Sequence, residues 1–277
     1  MQTNRNTLSA TLFLLAIVNV ALAQDLGREM QTGEDMAKAH PDSLVRLTAG
    51  TQSFVGLFNG TVTKQRRGGV ILLHGPDHTP DARDILKPLA ARLPERGWDT
   101  LAIQAATPET SAATVDYNAL LPLTGERIDS AMQYLETRKS NPVVLLGTGT
   151  GALAVLRFLA DKPDAKIAAA VLIDIPMEAD QENAVIADLE KTKKPLLDIS
   201  SNRTRKLSTD KDRKRKRAQR ENEDYRQLPM NDTTSGFQEV EDMLGNRIAG
   251  WLQRFIPPTD QPPAEAAGQI AAPAPQN

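Results

Sequence analysis

Two short stretches concentrate the side chains able to do chemistry. Residues 147–151 read Gly147-Thr148-Gly149-Thr150-Gly151, and residues 74–78 read His74-Gly75-Pro76-Asp77-His78. A hydroxyl activated by an imidazole, which a carboxylate orients in turn, is the minimal apparatus for nucleophilic attack on a carbonyl. Thr150 or Thr148 with His78 as base, and Asp77 or Asp81 behind it, is therefore one chemistry these residues allow. The simpler role for both threonines is to cap the helix that follows. Gly147, Gly149 and Ala152 also satisfy G-x-G-x-x-A, where bare backbone lets a helix N-terminus approach a phosphate. Asp174 is then the candidate ribose acid, although it lies further along than the roughly 20 residues a dinucleotide fold uses. Two histidines four apart would make a metal face on a helix, but Gly75-Pro76 between them prevents one. No metal site and no cofactor are expected, and His74 is expected to satisfy backbone groups.

A third stretch is electrostatic. Residues 203–220 hold ten Lys/Arg (Arg203, Arg205, Lys206, Lys211, Arg213, Lys214, Arg215, Lys216, Arg217 and Arg220) against Asp210 and Asp212, a local charge of +8. Lys211 to Arg220 has no large apolar side chain, so it is no amphipathic membrane helix. Either it is a solvated, partly disordered helix, or it contacts an anionic envelope component or an acidic protein with a strength that falls as salt rises.

These stretches must be positioned by the rest of a 277-residue chain that is 40% hydrophobic, enough for a sizeable core. Thirty-three basic against 35 acidic residues give a net charge of −2, which argues against nucleic acid as a partner. The absence of cysteine excludes disulfides, thiolate metal sites, cysteine nucleophiles and lipid attachment through cysteine. Residues 1–23 have the marks of a secretory signal peptide: Arg5, a short apolar run over 8–21, and Ala21-Leu22-Ala23 as cleavage site. The expected product is periplasmic and not an integral membrane protein, with a charge of −3 once Arg5 is gone; outside the basic stretch it carries −11. Residues 24–51 read as a loosely held lead-in, 52–256 as one domain, and 257–277 as a disordered Pro/Ala-rich tail.

Within the domain, strand and helix patterns alternate. Asn59-Gly60 suits a tight hairpin turn between strands at 53–58 and 61–63. Val70-Ile71-Leu72-Leu73 is a continuous apolar run fit for a strand buried on both faces. Helical spacing over 81–92 follows, then strand 100–103, helix 126–138, strand 143–146, helix 152–160, strand 169–173, helix 182–191, strand 195–199 and a final helix over 240–255. Repeated strand–helix units imply an α/β fold with a mostly parallel central sheet and helices on both faces. Ligands in such sheets sit beyond the carboxyl ends of the strands, here after Leu73, Leu146, Ile173 and Ile199.

Val70-Ile71-Leu72-Leu73-His74-Gly75 resembles the strand and His-Gly turn that open an α/β-hydrolase core, and residues 143–152 resemble its strand, nucleophile elbow and helix. Gly97-Trp98 and Gly250-Trp251-Leu252 fit the same pattern. The resemblance is nearest to a little-characterised group of exported proteobacterial α/β-hydrolase-like proteins of unknown function. It implies an α/β-hydrolase-like fold, and binding at His74, Gly75, Gly147, Gly149 and Gly151. The chemistry departs from the family. In G-x-S-x-G the central residue is the nucleophile, and that position here is Gly149. The family's order is nucleophile, acid, histidine, yet all three histidines (His40, His74, His78) precede the elbow. Ser200-Ser201-Asn202-Arg203 offers no carboxylate at the acid position, and Asp198, inside the run, reads as a strand residue at the sheet end. Pro76, with no N–H, stands where the second oxyanion donor belongs. Only about 20 residues, 176–194, separate two strands where many lipases insert a lid, so no large lid is expected. A non-catalytic binding or assembly protein of the envelope is the expectation. An atypical threonine hydrolase and a nucleotide- or anion-binding turn remain as alternatives.

Overall fold

The computed structural model describes residues 24–75, 78–82, 85–109, 117–201, 209–230, 237 and 240–258. Eight strands form one sheet: β1 (Leu44–Ala49), β2 (Gln52–Asn59), β3 (Gly68–Leu73), β4 (Trp98–Ile103), β5 (Val143–Thr148), β6 (Ile167–Ile173), β7 (Leu196–Ser201) and β8 (Tyr225–Met230). Their order is β1-β2-β4-β3-β5-β6-β7-β8. β2 runs antiparallel to β1 and β4, and every other pairing is parallel. The helices are α1 (Leu26–Ala39), α2 (Leu86–Arg92), α3 (Leu121–Thr137), α4 (Thr150–Asp161), α5 (Glu182–Lys191), α6 (Thr209–Ala218) and α7 (Glu241–Leu252).

The apolar run of β3 explains the layering. Alternation along a strand sends Ile71 and Leu73 to one face and Val70 and Leu72 to the other. Ile71 and Leu73 pack in a core with Ile128 and Leu135 of α3 and Val155 and Leu159 of α4. Val70 and Leu72 pack with Leu86 and Leu89 of α2 and Leu244, Ile248 and Leu252 of α7. A strand buried on both sides needs no polar face, which is why its sequence carries no alternation.

Three expectations need correction. The hairpin turn lies at Gly50-Thr51 rather than Asn59-Gly60: Gly50, at φ 56, joins β1 to β2, and residues 61–63 form no strand. Residues 24–51 are not loosely held. Asp25 caps α1 by accepting from the Arg28 N–H at 2.9 Å, and β1 pairs with β2 along its whole length. The buried residues of α1 are Glu29, Gly33 and Met36, while Leu26 and Met30 face solvent, so apolar periodicity could not reveal which side docks. The basic stretch contains the ordered helix α6, and β8 follows it where no strand was expected. The pattern of β8 is broken by Pro229, which is tolerated because this is an edge strand.

Candidate functional site: the elbow and its surroundings

Strand β5 runs into α4 through a single residue. Gly149 has φ 55 and ψ −124, a conformation that costs an L side chain strain, and its N–H donates to the Ile173 carbonyl at 2.9 Å. The flanking glycines answer to space. A Cβ on Gly147 would stand 2.4 Å from the Gly151 carbonyl oxygen, and one on Gly151 would stand 2.5 Å from the carbonyl oxygens of Leu73 and His74. The helix therefore starts against β5 and the end of β3 at backbone contact distance, the geometry of a sharp strand-to-helix elbow. At its apex there is no side chain.

The threonines do not cap α4. The N-cap position is Gly149, and no side chain makes the capping hydrogen bond. Thr150 already lies inside the first turn, where its hydroxyl cannot take the N-cap role. Thr148 continues the alternation of Val144 and Leu146, so its side chain belongs to the α2/α7 face, opposite to α4. It is 7% exposed, and its Oγ1 has no hydrogen-bond partner among the described residues.

The histidines are held in different ways. His74 is 5% exposed; its Nε2 accepts from the Ala105 N–H at 3.1 Å, so Nδ1 carries the proton and donates to the Gly75 carbonyl at 2.8 Å. Both nitrogens are thereby used on backbone, and His74 is a structural residue. His40 Nε2 sits 3.0 Å from Asp81 Oδ2, and Thr79 donates to Asp81 Oδ1 at 2.6 Å. Partial burial alone would push the Asp81 carboxyl up, but the hydrogen bonds from Thr79 and His40 and the His40 charge hold it below the ordinary 3.8. His78 is exposed, and Gly75 lies between it and the elbow: a Cβ on Gly75 would lie 3.5 Å from the Thr148 carbonyl oxygen and 3.6 Å from His78 Cδ2. Pro76 and Asp77 lie outside the described residues. Among those described, no three His, Asp or Glu side chains are grouped to hold a metal.

Asp174 is not available to a ribose. It follows β6 directly at φ 50, and its Oδ1 accepts from the Ser201 N–H at 2.6 Å, tying the ends of β6 and β7 together.

Asp198 is a strand residue inside β7, next to the edge strand β8. It is 1% exposed, and its Oδ2 accepts from Arg215 Nε at 2.8 Å, Tyr225 Oη at 2.7 Å and Gln227 Nε2 at 3.3 Å. Burial, reinforced by the Asp198 carboxylate, pushes the Tyr225 hydroxyl far above its usual range. Burial works against the Arg215 charge, and the surrounding Asp198, Tyr225 and Asp212 more than offset it, so its pKa rises. Arg215, expected as a surface contact, is thus an internal ion-pair partner. Lys211 donates to the Met177 carbonyl, and Lys214 pairs with Glu182 and Asp210. Arg213, Lys216, Arg217 and Arg220 are exposed, and Arg203, Arg205 and Lys206 lie outside the described residues.

A second buried pair has no counterpart among the residues singled out from sequence. Glu29 of α1 joins Arg127 of α3, and it also accepts from Gln24 Nε2 at 3.0 Å and the Thr107 N–H at 2.6 Å. Arg127 lies over the Phe54 ring, 5.2 Å from its centroid. An isolated buried charge pays heavily for desolvation, and these partners offset that cost; in sequence nothing separates Glu29 from Glu34 and Asp35 of the same helix, which are exposed.

The sequence matches, over residues 24–123 and 123–254, the family described as "Protein of unknown function (DUF3530)". The chain belongs to this family. No curated protein matches it. Among solved structures it is similar to an esterase from Pyrococcus furiosus at 17% identity and a TM-score of 0.62, covering 79% of this chain and 95% of that one. Dienelactone hydrolase from Anabaena variabilis matches at 17% identity and a TM-score of 0.62, covering 77% and 97%. A lidless α/β serine hydrolase from Xanthomonas campestris matches at 14% identity and a TM-score of 0.57, covering 78% and 95%. At these identities the likeness establishes the α/β-hydrolase fold. In this DUF3530 chain too, only α5 lies between β6 and β7, and no lid occurs among the described residues.

Proposed function

We propose that this DUF3530 chain is a non-catalytic binding or assembly protein of the bacterial envelope, exported to the periplasm, with a hydrolase fold but no working triad. The observation that carries this reading is Gly149, which occupies the apex of the elbow at φ 55 with no atom able to attack a carbonyl. Its surroundings agree. His40 is engaged by Asp81, His74 is engaged by backbone, and no histidine follows His78 in the sequence. Losing one oxyanion donor costs about 10²–10³ in rate, and losing nucleophile and base costs about a million-fold. Export rests on the leader-like residues 1–23. Gln24, the residue expected to follow cleavage, is itself buried and bonded to Glu29, as suits a mature terminus folded into the domain. Ligands would bind above the sheet, in the loops that follow β3, β5, β6 and β7.

The alternative is a hydrolase using Thr150 and His78, favoured by Gly75, which has the Thr148 carbonyl on one side and the His78 ring on the other. The test is exposure of the purified chain to a fluorophosphonate probe and to ester, thioester and peptide substrates. No adduct and no turnover are expected. An adduct mapped to residues 147–151, or turnover abolished by Thr150→Ala and His78→Ala, would establish the hydrolase. A melting temperature raised by NAD or ATP would instead establish a nucleotide site at Gly147–Ala152.

A further inference from the structure

Helix α6 has two unlike sides. Its inner side is clamped: Arg215 pairs with Asp198 at 2.8 Å, and Gln219, just past the helix end, donates to the carbonyl of Thr192 at 3.0 Å and to that of Leu189. The acids of the helix are already used, Asp212 by Arg215 at 2.7 Å and Asp210 by Lys214 at 3.3 Å. Arg213, Lys216 and Arg217, at steps of three and one, lie together on the opposite, exposed side of the helix, and Arg220 is exposed in the turn that follows it. Arg220 has Glu221 at 3.7 Å. The result is a stripe of three guanidinium groups and one ammonium, fixed in direction by a buried ion pair, on a chain whose remainder is acidic.

We propose that this stripe docks the protein flat on a surface of anionic phospholipid headgroups. The inference is independent of whether the elbow is catalytic. Guanidinium groups bind phosphate oxygens in a two-pronged geometry, and a row of them suits a lattice of repeated phosphates. An acidic protein is the weaker fit, since specific protein interfaces are anchored by buried aromatic or aliphatic side chains. Among the described residues the exposed large apolar ones, Leu26, Met30, Val62 and Met243, all lie elsewhere than on α6. With none on α6, the helix has nothing to insert, so attachment is electrostatic and reversible. The rigid clamp lowers the ordering cost that a disordered basic tail would incur on binding.

The test is co-sedimentation of the full chain with vesicles of phosphatidylcholine alone or mixed with phosphatidylglycerol, at low and high salt. Each basic side chain near an anionic bilayer contributes about five-fold in partitioning, so neutralising Arg213, Lys216, Arg217 and Arg220 to Gln should weaken binding by at least about 100-fold. A charge-matched variant with Lys38, Lys64, Lys87 and Lys193 changed to Gln should keep most of it. Binding that requires phosphatidylglycerol, falls with salt and is lost only in the stripe variant supports the proposal, provided both variants melt like the parent. Three results would overturn it: no binding to anionic vesicles, equal loss in the two variants, or tighter binding to polyglutamate than to vesicles at equal ionic strength. The last would assign the stripe to an acidic protein.

Discussion

Replacing Gly149 by Ser would restore the elbow's missing hydroxyl, and the structure sets two separate magnitudes for the outcome. At φ 55 and ψ −124 a side chain is strained, which costs about 1–3 kcal/mol. In a domain of this size each kcal/mol shifts the melting temperature by about 2–4 °C, so a fall of about 2–12 °C is expected. Gly149→Ala should show the same fall, because the strain comes from Cβ and not from the hydroxyl. Activity should not follow. Serine hydrolases stripped of Ser or His lose about a million-fold in rate, and Gly149→Ser would have the serine without any histidine after position 78. Ester turnover should therefore stay about a million-fold below that of an intact serine esterase assayed alongside it. Both variants would be measured by thermal melting and p-nitrophenyl ester hydrolysis, with a fluorophosphonate probe to count reactive serines. Turnover comparable to the intact esterase would mean that a functional base already faces the elbow, and the claim that this chain lacks one would be refuted. A melting temperature unchanged in both variants would refute the strained apex itself.

Other perturbations test the supports of the fold. Arg215→Met should cost about 3–5 kcal/mol in urea unfolding by leaving Asp198 charged and buried, and adding Asp198→Asn should recover part of that loss. Glu29→Ala should cost a similar amount by leaving Arg127 unpaired, and it should expose the 24–39 segment to protease before the rest of the chain. Asp81 is held below its ordinary value, so its contribution is complete above pH 3.8 and is lost as pH falls through the depressed pKa; His40→Gln should shrink that acid-side loss in unfolding curves taken between about pH 6 and 3. Gly147→Ala should destabilise strongly or prevent folding, since its Cβ would meet the backbone oxygen of Gly151 at 2.4 Å; a stable, well-expressed Gly147→Ala would contradict the close packing of α4 on β5.

Much of this architecture was legible before any coordinate. The apolar run at residues 70–73, the glycines at 147, 149 and 151 and the alternation of strands with helices specify a parallel sheet and an elbow, because buried strands and tight turns each demand particular residue types. The empty nucleophile position was legible for the same reason, as a glycine cannot conceal a side chain. Pairing between residues distant in sequence was not legible. The helix at 26–39 docks through Glu29, a glycine and Met36 while Leu26 and Met30 stay outside, so its apolar pattern did not announce the docked side, and the arrival of Arg127 across the fold, with Gln24 and the Thr107 N–H, makes the burial of Glu29 tolerable. Arg215 reads like its basic neighbours, yet it turns inward to Asp198, because the tertiary fold puts β7 and β8 beneath that side of the helix. The sequence by itself determined which backbone conformations and layers are possible, since those follow from local sterics and hydrophobic periodicity. Only the tertiary structure decided which charges are spent inside and which face outward, since the desolvation of a charge depends on a partner that the chain brings near from far away.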